Sequence, residues 1–278
     1  MIEILTLLIL LIPFSIFIFN SIVLRNLISD KSEIPGIVNS ISIGISFIFA
    51  LIVLFNVGDF SSSISFTWIS LNNVDITFSF LVDPLTAIML VVVSGVSFLV
   101  QIYSIGYMHG DKSFCRYFSY MALFTGSMLG LVMSRNILQL FIFWELVGVS
   151  SYLLIGFWHE RKSAAAAAKK AFIMTRLGDF GFLFSIIYLF NVNSDFLEIP
   201  VLYNAILNNE ISTNVATILS LGFLVGAIGK SAQFPLHNWL PDAMEGPTSV
   251  SALIHSATMV TAGVFLIARL FPLFQNSD

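Results

Sequence analysis

Four charged side chains stand inside long apolar runs: Glu145 in Phe143-Trp144-Glu145-Leu146, Arg176 and Asp179 three residues apart, and Lys230. In hydrocarbon a central Asp, Lys or Arg costs about 2.5 to 3.5 kcal/mol on insertion scales, so such residues are usually paired and functional. Their spacing puts Arg176 and Asp179 on one helical face, suiting either a local ion pair that lets the helix insert or a step in a conducting path. Lys230 either snorkels to an interface or sits beside a break. After it, Phe234-Pro235, Pro241 and Pro247 interrupt the chain, with His237, Asn238, Trp239, Asp242 and Glu245 between them. That segment reads equally as an interfacial amphipathic turn or as a broken helix lining a hydrated cavity, because irregular backbone at bilayer depth needs protein or water to satisfy it. His255, beside Ser251, Ser256 and Thr258, is a packed imidazole or a relay. His109 and His159 fall at helix ends and read as interfacial. Taken together, a carboxylate, an ammonium and an imidazole with an Arg–Asp pair nearby suit proton transfer. Burial favours a neutral amine and a nearby carboxylate favours the ammonium, so a partner that moves switches such a lysine between holding and releasing a proton.

The elements that must position these groups are membrane spans. The chain has 278 residues, 57% hydrophobic and only 10% charged, with a mean hydropathy of +0.94. A soluble domain carries roughly 25% charged residues to wet its surface, so lipid is the solvent expected here. A spanning helix needs about 20 apolar residues. On that basis helices are expected at Ile4–Ile28, Pro35–Val57, Pro84–Tyr107, Phe114–Met133, Ile137–Trp158, Ala165–Phe190, Asn214–Phe234 and Thr248–Phe271. The expected fold is all-α, a polytopic transmembrane bundle with a broken seventh helix. Asp83-Pro84 reads as an N-cap with proline at the first helical position. Polar–apolar alternation over Ser61–Phe80 predicts a small extramembrane hairpin. Gly126-x-x-x-Gly130 and Gly222-x-x-x-Gly226 permit close helix approach, though such pairs are common in membrane sequences.

Charge asymmetry orients the bundle. The first, third and fifth connections hold Arg25, Lys31, Lys112, Arg116, Arg161, Lys162, Lys169 and Lys170, whereas the even connections hold Arg135 and acids such as Asp59, Asp75, Asp195, Glu198 and Glu210. Odd connections are therefore expected on the cytoplasmic (or matrix or stromal) side, and both termini on the other. The apolar start lacks a basic n-region, which argues for a retained helix rather than a cleaved signal. Lone Cys115 excludes an internal disulfide or a cysteine-held cluster. No basic–aromatic patch points to nucleic acid, and no Gly-x-Gly-x-x-Gly binds a dinucleotide.

The strings Tyr103–Gly110 (YSIGYMHG), Arg116–Gly130 (RYFSYMALFTGSMLG), Gln139–Trp158 (QLFIFWELVGVSSYLLIGFW), Ala171–Gly181 (AFIMTRLGDFG) and Gly229–Thr261 (GKSAQFPLHNWLPDAMEGPTSVSALIHSATMVT) resemble the antiporter-like subunit L, or chain 5, of NADH:quinone oxidoreductase, respiratory complex I. The resemblance covers essentially the whole chain. It implies proton translocation, with Glu145 paired to Lys230 of a broken helix, Arg176 and Asp179 as the charged pair of the sixth helix, and His255 leading toward the subunit centre. It implies no cofactor in this chain; NADH (or NADPH or ferredoxin), FMN, iron–sulfur clusters and quinone belong to partner subunits. Other antiporter-like membrane subunits are the implied partners, in an energy-transducing membrane: bacterial, mitochondrial inner or thylakoid. Where the family motif has proline and asparagine, this chain has Ser249 and Thr175, which bears on local helix geometry. Family members are about twice as long, with a second inverted five-helix unit. Residues 1–110 then correspond to the three lead-in helices and hairpin, and 111–278 to the first five-helix unit. The large subunit of a Mrp-type cation/proton antiporter shares these motifs and is the alternative. A membrane cytochrome would need paired axial histidines at bilayer depth, where only His255 qualifies well. A purely structural anchor with merely paired charges is the remaining reading.

Overall fold

A computed structural model describes residues 2–27, 32–58, 62–71 and 74–277. Ile28, Lys31, Asp59, Ser61 and Asp278, which enter the expectations above, lie outside the described residues. Helix α1 (Ile2–Leu27) contains one π-helical stretch at Phe19–Leu24. Then come α2 (Ile34–Asn56), an antiparallel hairpin of β1 (Ser62–Leu71) and β2 (Val74–Val82), α3 (Pro84–Tyr107), α4 (Phe114–Met133) and α5 (Ile137–Ile155). Helix α6 (Lys162–Val192) is 31 residues long. After it lie a short surface helix α7 (Ile199–Leu207), α8 (Thr213–Lys230), one turn α9 (Trp239–Asp242), α10 (Thr248–Ser256), α11 (Met259–Arg269) and a final turn α12 (Phe271–Gln275).

Among the described residues seven helical stretches, counting α10 and α11 as one, are long and apolar enough to cross a membrane. The remaining expected span, α4, has 20 residues and is buried along nearly its whole length. It carries Ser119, Thr125, Gly126, Ser127 and Gly130, all buried. A helix walled in by protein on every side has no lipid to match and tolerates that polarity. The outer surface is the reverse, with Leu99, Phe180, Leu221 and Val264 exposed. The protein is a multi-pass membrane bundle.

Two expected helices end differently. The seventh stops at Lys230 rather than Phe234, and Ala232 takes a positive φ of 51°. The eighth is not continuous: it breaks at Ala257 and Thr258, where Thr258 has φ −127° and ψ −92°. The Thr258 hydroxyl donates to the Leu253 carbonyl at 2.7 Å, closing part of the gap. Nothing in TSVSALIHSATMVT contains proline or glycine at the break, so the sequence carries no punctuation there. The N-cap at Asp83 is as expected, its carboxylate accepting from the Thr86 amide at 2.8 Å.

The connections sort into two ends. At one, His109 pairs with Glu33 at 2.7 Å, Lys170 with Asp242 at 2.6 Å, and Trp158 donates to Asp111 at 3.1 Å. At the other, the hairpin docks on the α4–α5 turn, where Ser79 N–H donates to Gln139 Oε1 at 2.8 Å. Glu198 joins Arg135 there at 3.0 Å and also accepts from Thr77. The odd and even connections therefore occupy opposite ends, as the charge count requires.

Candidate functional site

Glycines place the central charges. Gly178 of α6 and Gly229 of α8 meet backbone to backbone: a Cβ built on Gly178 would fall 2.9 Å from the Gly229 Cα. Further along the same contact, Gly181 faces Val225, and a Cβ on Gly222 would strike Ser185, whose hydroxyl donates to the Leu219 carbonyl at 3.0 Å. The small-residue face that read only weakly in sequence thus forms the α6–α8 seam. Because Asp179 follows Gly178 and Lys230 follows Gly229, the seam brings this carboxylate and this ammonium together.

Lys230 is fully buried, and its Nζ lies 3.9 Å from Asp179 Oδ2. On the other side of Asp179, the Trp144 indole donates to Oδ1 at 2.5 Å. The same indole ring lies 5.7 Å from Lys230 Nζ, so Trp144 contacts both members of the pair. Gly148, one turn beyond Glu145 on α5, gives the ammonium its room: a Cβ there would fall 2.7 Å from Lys230 Nζ. Neither Lys230 Nζ nor Asp179 Oδ2 has a hydrogen bond among the described residues, so the contact is an ion pair without a closed hydrogen bond.

Arg176 stands between two carboxylates. It forms an ion pair with Glu145 and lies 3.7 Å from Asp179, while its guanidinium covers the Phe172 ring at 4.5 Å. The expected Glu145–Lys230 pair is therefore not the arrangement found. The carboxylate facing Lys230 is Asp179, because the glycine seam carries Asp179 to Lys230 while Arg176 engages Glu145. The four charges Glu145, Arg176, Asp179 and Lys230 form one linked group.

His255 stands apart from that group. It sits on α10 one residue before the break, its ring 6.3 Å from that of Trp239. The Trp239 indole donates to the Gly229 carbonyl at 3.1 Å, so Trp239 lies between the end of α8 and the imidazole. Neither His255 nitrogen has a hydrogen-bond partner among the described residues.

Sequence reading missed two further polar groups. The first begins at the basic end, where Tyr107 and Thr248 hydroxyls lie 3.3 Å apart, and continues inward through buried Tyr117, 3.0 Å from Ser104 and 2.6 Å from Ser249. Ser251 and His255 follow on one face of α10, and Gln101 and Ser97 on one face of α3. Ser97 Oγ, both amide atoms of Gln101 and Ser251 Oγ are buried without a partner among the described residues. Ser249 supplies a hydroxyl to this group. The second group is Arg269, buried at the opposite end and held by Asp83 at 2.5 and 3.1 Å and by Thr86 at 2.6 Å. Burial acts to raise the Asp83 carboxyl, but the Arg269 guanidinium and the Thr86 amide together hold it below the usual range. A hydropathy scan passes over Arg269 because it ends an apolar run, where snorkelling is the ordinary expectation. Among the described residues no group of three or more His, Cys, Asp or Glu is placed to hold a metal.

Residues 134–278 match the family described as NADH:quinone oxidoreductase/Mrp antiporter, TM, which is more than half of the chain. The chain belongs to this family. Residues 68–118 also match the N-terminal region of chain 5 of NADH-ubiquinone oxidoreductase (complex I). Among curated relatives, the chloroplastic NAD(P)H-quinone oxidoreductase subunit 5 of Physcomitrium patens is 47% identical over 279 residues, covering 95% of this chain and 38% of that protein. That of Mesostigma viride is 52% identical over 240 residues, covering 84% and 37%. The chain thus spans less than two fifths of the length of these relatives. Among solved structures, the Mrp complex from Dietzia sp. aligns with a TM-score of 0.79 and 25% identity, over 94% of this chain and 27% of that one. An archaeal membrane-bound sulfane sulfur reductase shares the fold, with a TM-score of 0.78 and 20% identity over 98% of this chain and 54% of that one.

Proposed function

We propose that the chain forms a proton half-channel in the antiporter-like membrane subunit of a redox-driven NAD(P)H:quinone oxidoreductase. The observation that carries this reading is fully buried Lys230 at the end of a broken helix, 3.9 Å from Asp179. An ammonium without hydrogen-bond closure at that depth holds its proton only while its counter-charge stays in place. Arg176 links that counter-charge to Glu145. When Arg176 turns from Glu145 toward Asp179, it neutralises the carboxylate that stabilises Lys230, and the Lys230 proton leaves toward His255. When Arg176 returns to Glu145, Asp179 again favours the ammonium, and Lys230 takes a proton from the hydrated side. The Tyr107–Thr248 and Tyr117–Ser249 hydroxyl pairs supply that side from the basic end of the bundle.

On this reading residues 111–278 are the first five-helix antiporter-like unit and residues 1–110 its lead-in. NADH or NADPH, FMN, iron–sulfur clusters and quinone belong to partner subunits, and other antiporter-like subunits are neighbours in the membrane. The chloroplastic relatives favour a thylakoid-type energy-transducing membrane, with both termini on the side away from the basic connections. The same local charges would serve a Mrp-type antiporter, to which the Dietzia alignment speaks. The higher identity to NAD(P)H-quinone oxidoreductase subunits favours the redox complex. The test is the proton-to-electron ratio of the assembled complex in vesicles. Lys230→Ala is expected to lower it strongly, and a wild-type ratio in Lys230→Ala rejects the assignment. Co-purification with small antiporter subunits in place of redox-centre subunits rejects the choice of complex.

A further inference from the structure

A second set of cations lies outside the central charge group. At the basic end of the bundle a cavity of about 340 Å³ opens between the first turns of α4, the last turn of α5 and the first turns of α6. Arg116, His159 and Lys169 line it, and no Asp or Glu does. It exists because α6 opens with five consecutive alanines, Ala164 to Ala168, whose short side chains leave the wall recessed.

Arg116 is held at its planar end and left open at its stem. Its Nη2 donates to the Phe157 carbonyl at 3.2 Å, and its guanidinium lies 5.1 Å over the Phe157 ring. Its Nε–H is buried and has no acceptor among the described residues. A buried cationic donor without an acceptor is costly, and an anionic oxygen is the partner that relieves it. An adjoining cavity of about 270 Å³ shares Arg116 and His159 and includes two carboxylates, Asp111 and Glu160, together with Lys112 and Arg161. The Asp111 carboxylate is already engaged by Trp158 at 3.1 Å and by the Ser113 amide at 2.7 Å. No carboxylate pairs with Arg116, His159 or Lys169 among the described residues.

We propose that this cavity binds one anionic phospholipid, its phosphate held by Arg116, Lys169 and His159 and its first acyl carbons lying against Tyr152 and Leu153. The chemistry that recognises it is a phosphate anion, and free phosphate shares that chemistry. The lipid is favoured because Tyr152 and Leu153 belong to a spanning helix, within the edge of the hydrocarbon. Basic pockets between spanning helices on the cytoplasmic or matrix side suit anionic headgroups, and each cation near the surface is worth roughly 1 kcal/mol, which is about fivefold in affinity.

The test is native mass spectrometry of the assembled complex, purified in mild detergent and incubated with phosphatidylglycerol or phosphatidylcholine vesicles. The wild type is expected to retain phosphatidylglycerol selectively, and Arg116→Gln/Lys169→Gln to lose one bound copy. Lys169→Gln alone, at an exposed side chain, is expected to weaken retention about fivefold, which keeps the test decisive if the double variant fails to assemble. Lys170→Gln removes the same charge from a residue paired with Asp242 at 2.6 Å and is expected to retain the lipid. Unchanged retention in Lys169→Gln, or equal loss in Lys170→Gln, overturns the proposal. Displacement of the lipid by millimolar inorganic phosphate assigns the site to free phosphate and overturns it equally.

Discussion

Glu145→Gln separates two roles that a buried carboxylate can have. If Glu145 were the direct partner of Lys230, nothing done to Arg176 would repair its loss. The geometry instead makes Glu145 the group that holds Arg176 away from Asp179. Arg176 and Lys230 lie 3.7 and 3.9 Å from Asp179, so the two cations compete for one carboxylate on nearly equal terms. With an effective dielectric of about 20, each contact is worth about 4 kcal/mol before desolvation. Once Glu145 is neutral, Arg176 closes on Asp179. Shortening that contact to about 2.8 Å, a normal charge-assisted hydrogen bond, adds about 1.4 kcal/mol. That is about a tenfold preference of Asp179 for Arg176 over Lys230, which weakens the hold on the Lys230 ammonium. Proton translocation by the assembled complex in inverted vesicles, followed with a pH-sensitive dye, is expected to fall about tenfold in Glu145→Gln. The double variant Glu145→Gln/Arg176→Gln removes the competing cation and is expected to recover most of that loss. A double variant no better than the single one refutes the competition and returns Glu145 to direct partnership with Lys230.

Three other outcomes follow from the same structure. Gly148→Ala puts a methyl 2.7 Å from Lys230 Nζ; moving the ammonium by about 1 Å changes its pairing energy by about 1 kcal/mol, so translocation is expected to change severalfold while assembly, judged by native gel, is retained. Tyr117→Phe breaks the link between Ser104 and Ser249 and is expected to slow proton uptake from the basic side without altering electron transfer by uncoupled membranes; an unchanged rate rejects that line as the uptake route. Asp83→Asn leaves Arg269 buried against a neutral partner and is expected to cost about 3 to 5 kcal/mol, read as a lowered melting temperature of the purified complex. Because the Asp83 carboxyl is held below its ordinary value of 3.8, its contribution is complete above that value and is lost as pH falls through the lowered one. The Asp83→Asn protein should therefore show a smaller loss of stability on acidification than the wild type.

Much of this protein was written in composition and pattern. Long apolar runs dictate spanning helices because hydrocarbon admits no unsatisfied backbone, and Asp83-Pro84 set the start of α3 through local capping alone. The basic residues separated the connections into two ends, and charge inside the runs marked Glu145, Arg176, Asp179 and Lys230, because lipid makes such residues expensive. Pairing was beyond its reach. Which carboxylate faces Lys230 depends on how closely α6 and α8 approach, and that distance is set by Gly178 and Gly229 meeting across residues far apart in sequence. The same holds for Gly148, whose role is the space it leaves for an ammonium arriving from another helix. Arg269 gains its partners only when folding brings Asp83 and Thr86 against it. The break at Ala257–Thr258 likewise carries no proline or glycine, and beside it the Ser231 hydroxyl, from just past α8, donates to the Val260 carbonyl at 2.8 Å. Helices and buried charge follow from one-dimensional chemistry, whereas partners follow from contact distances that exist only after the helices have packed.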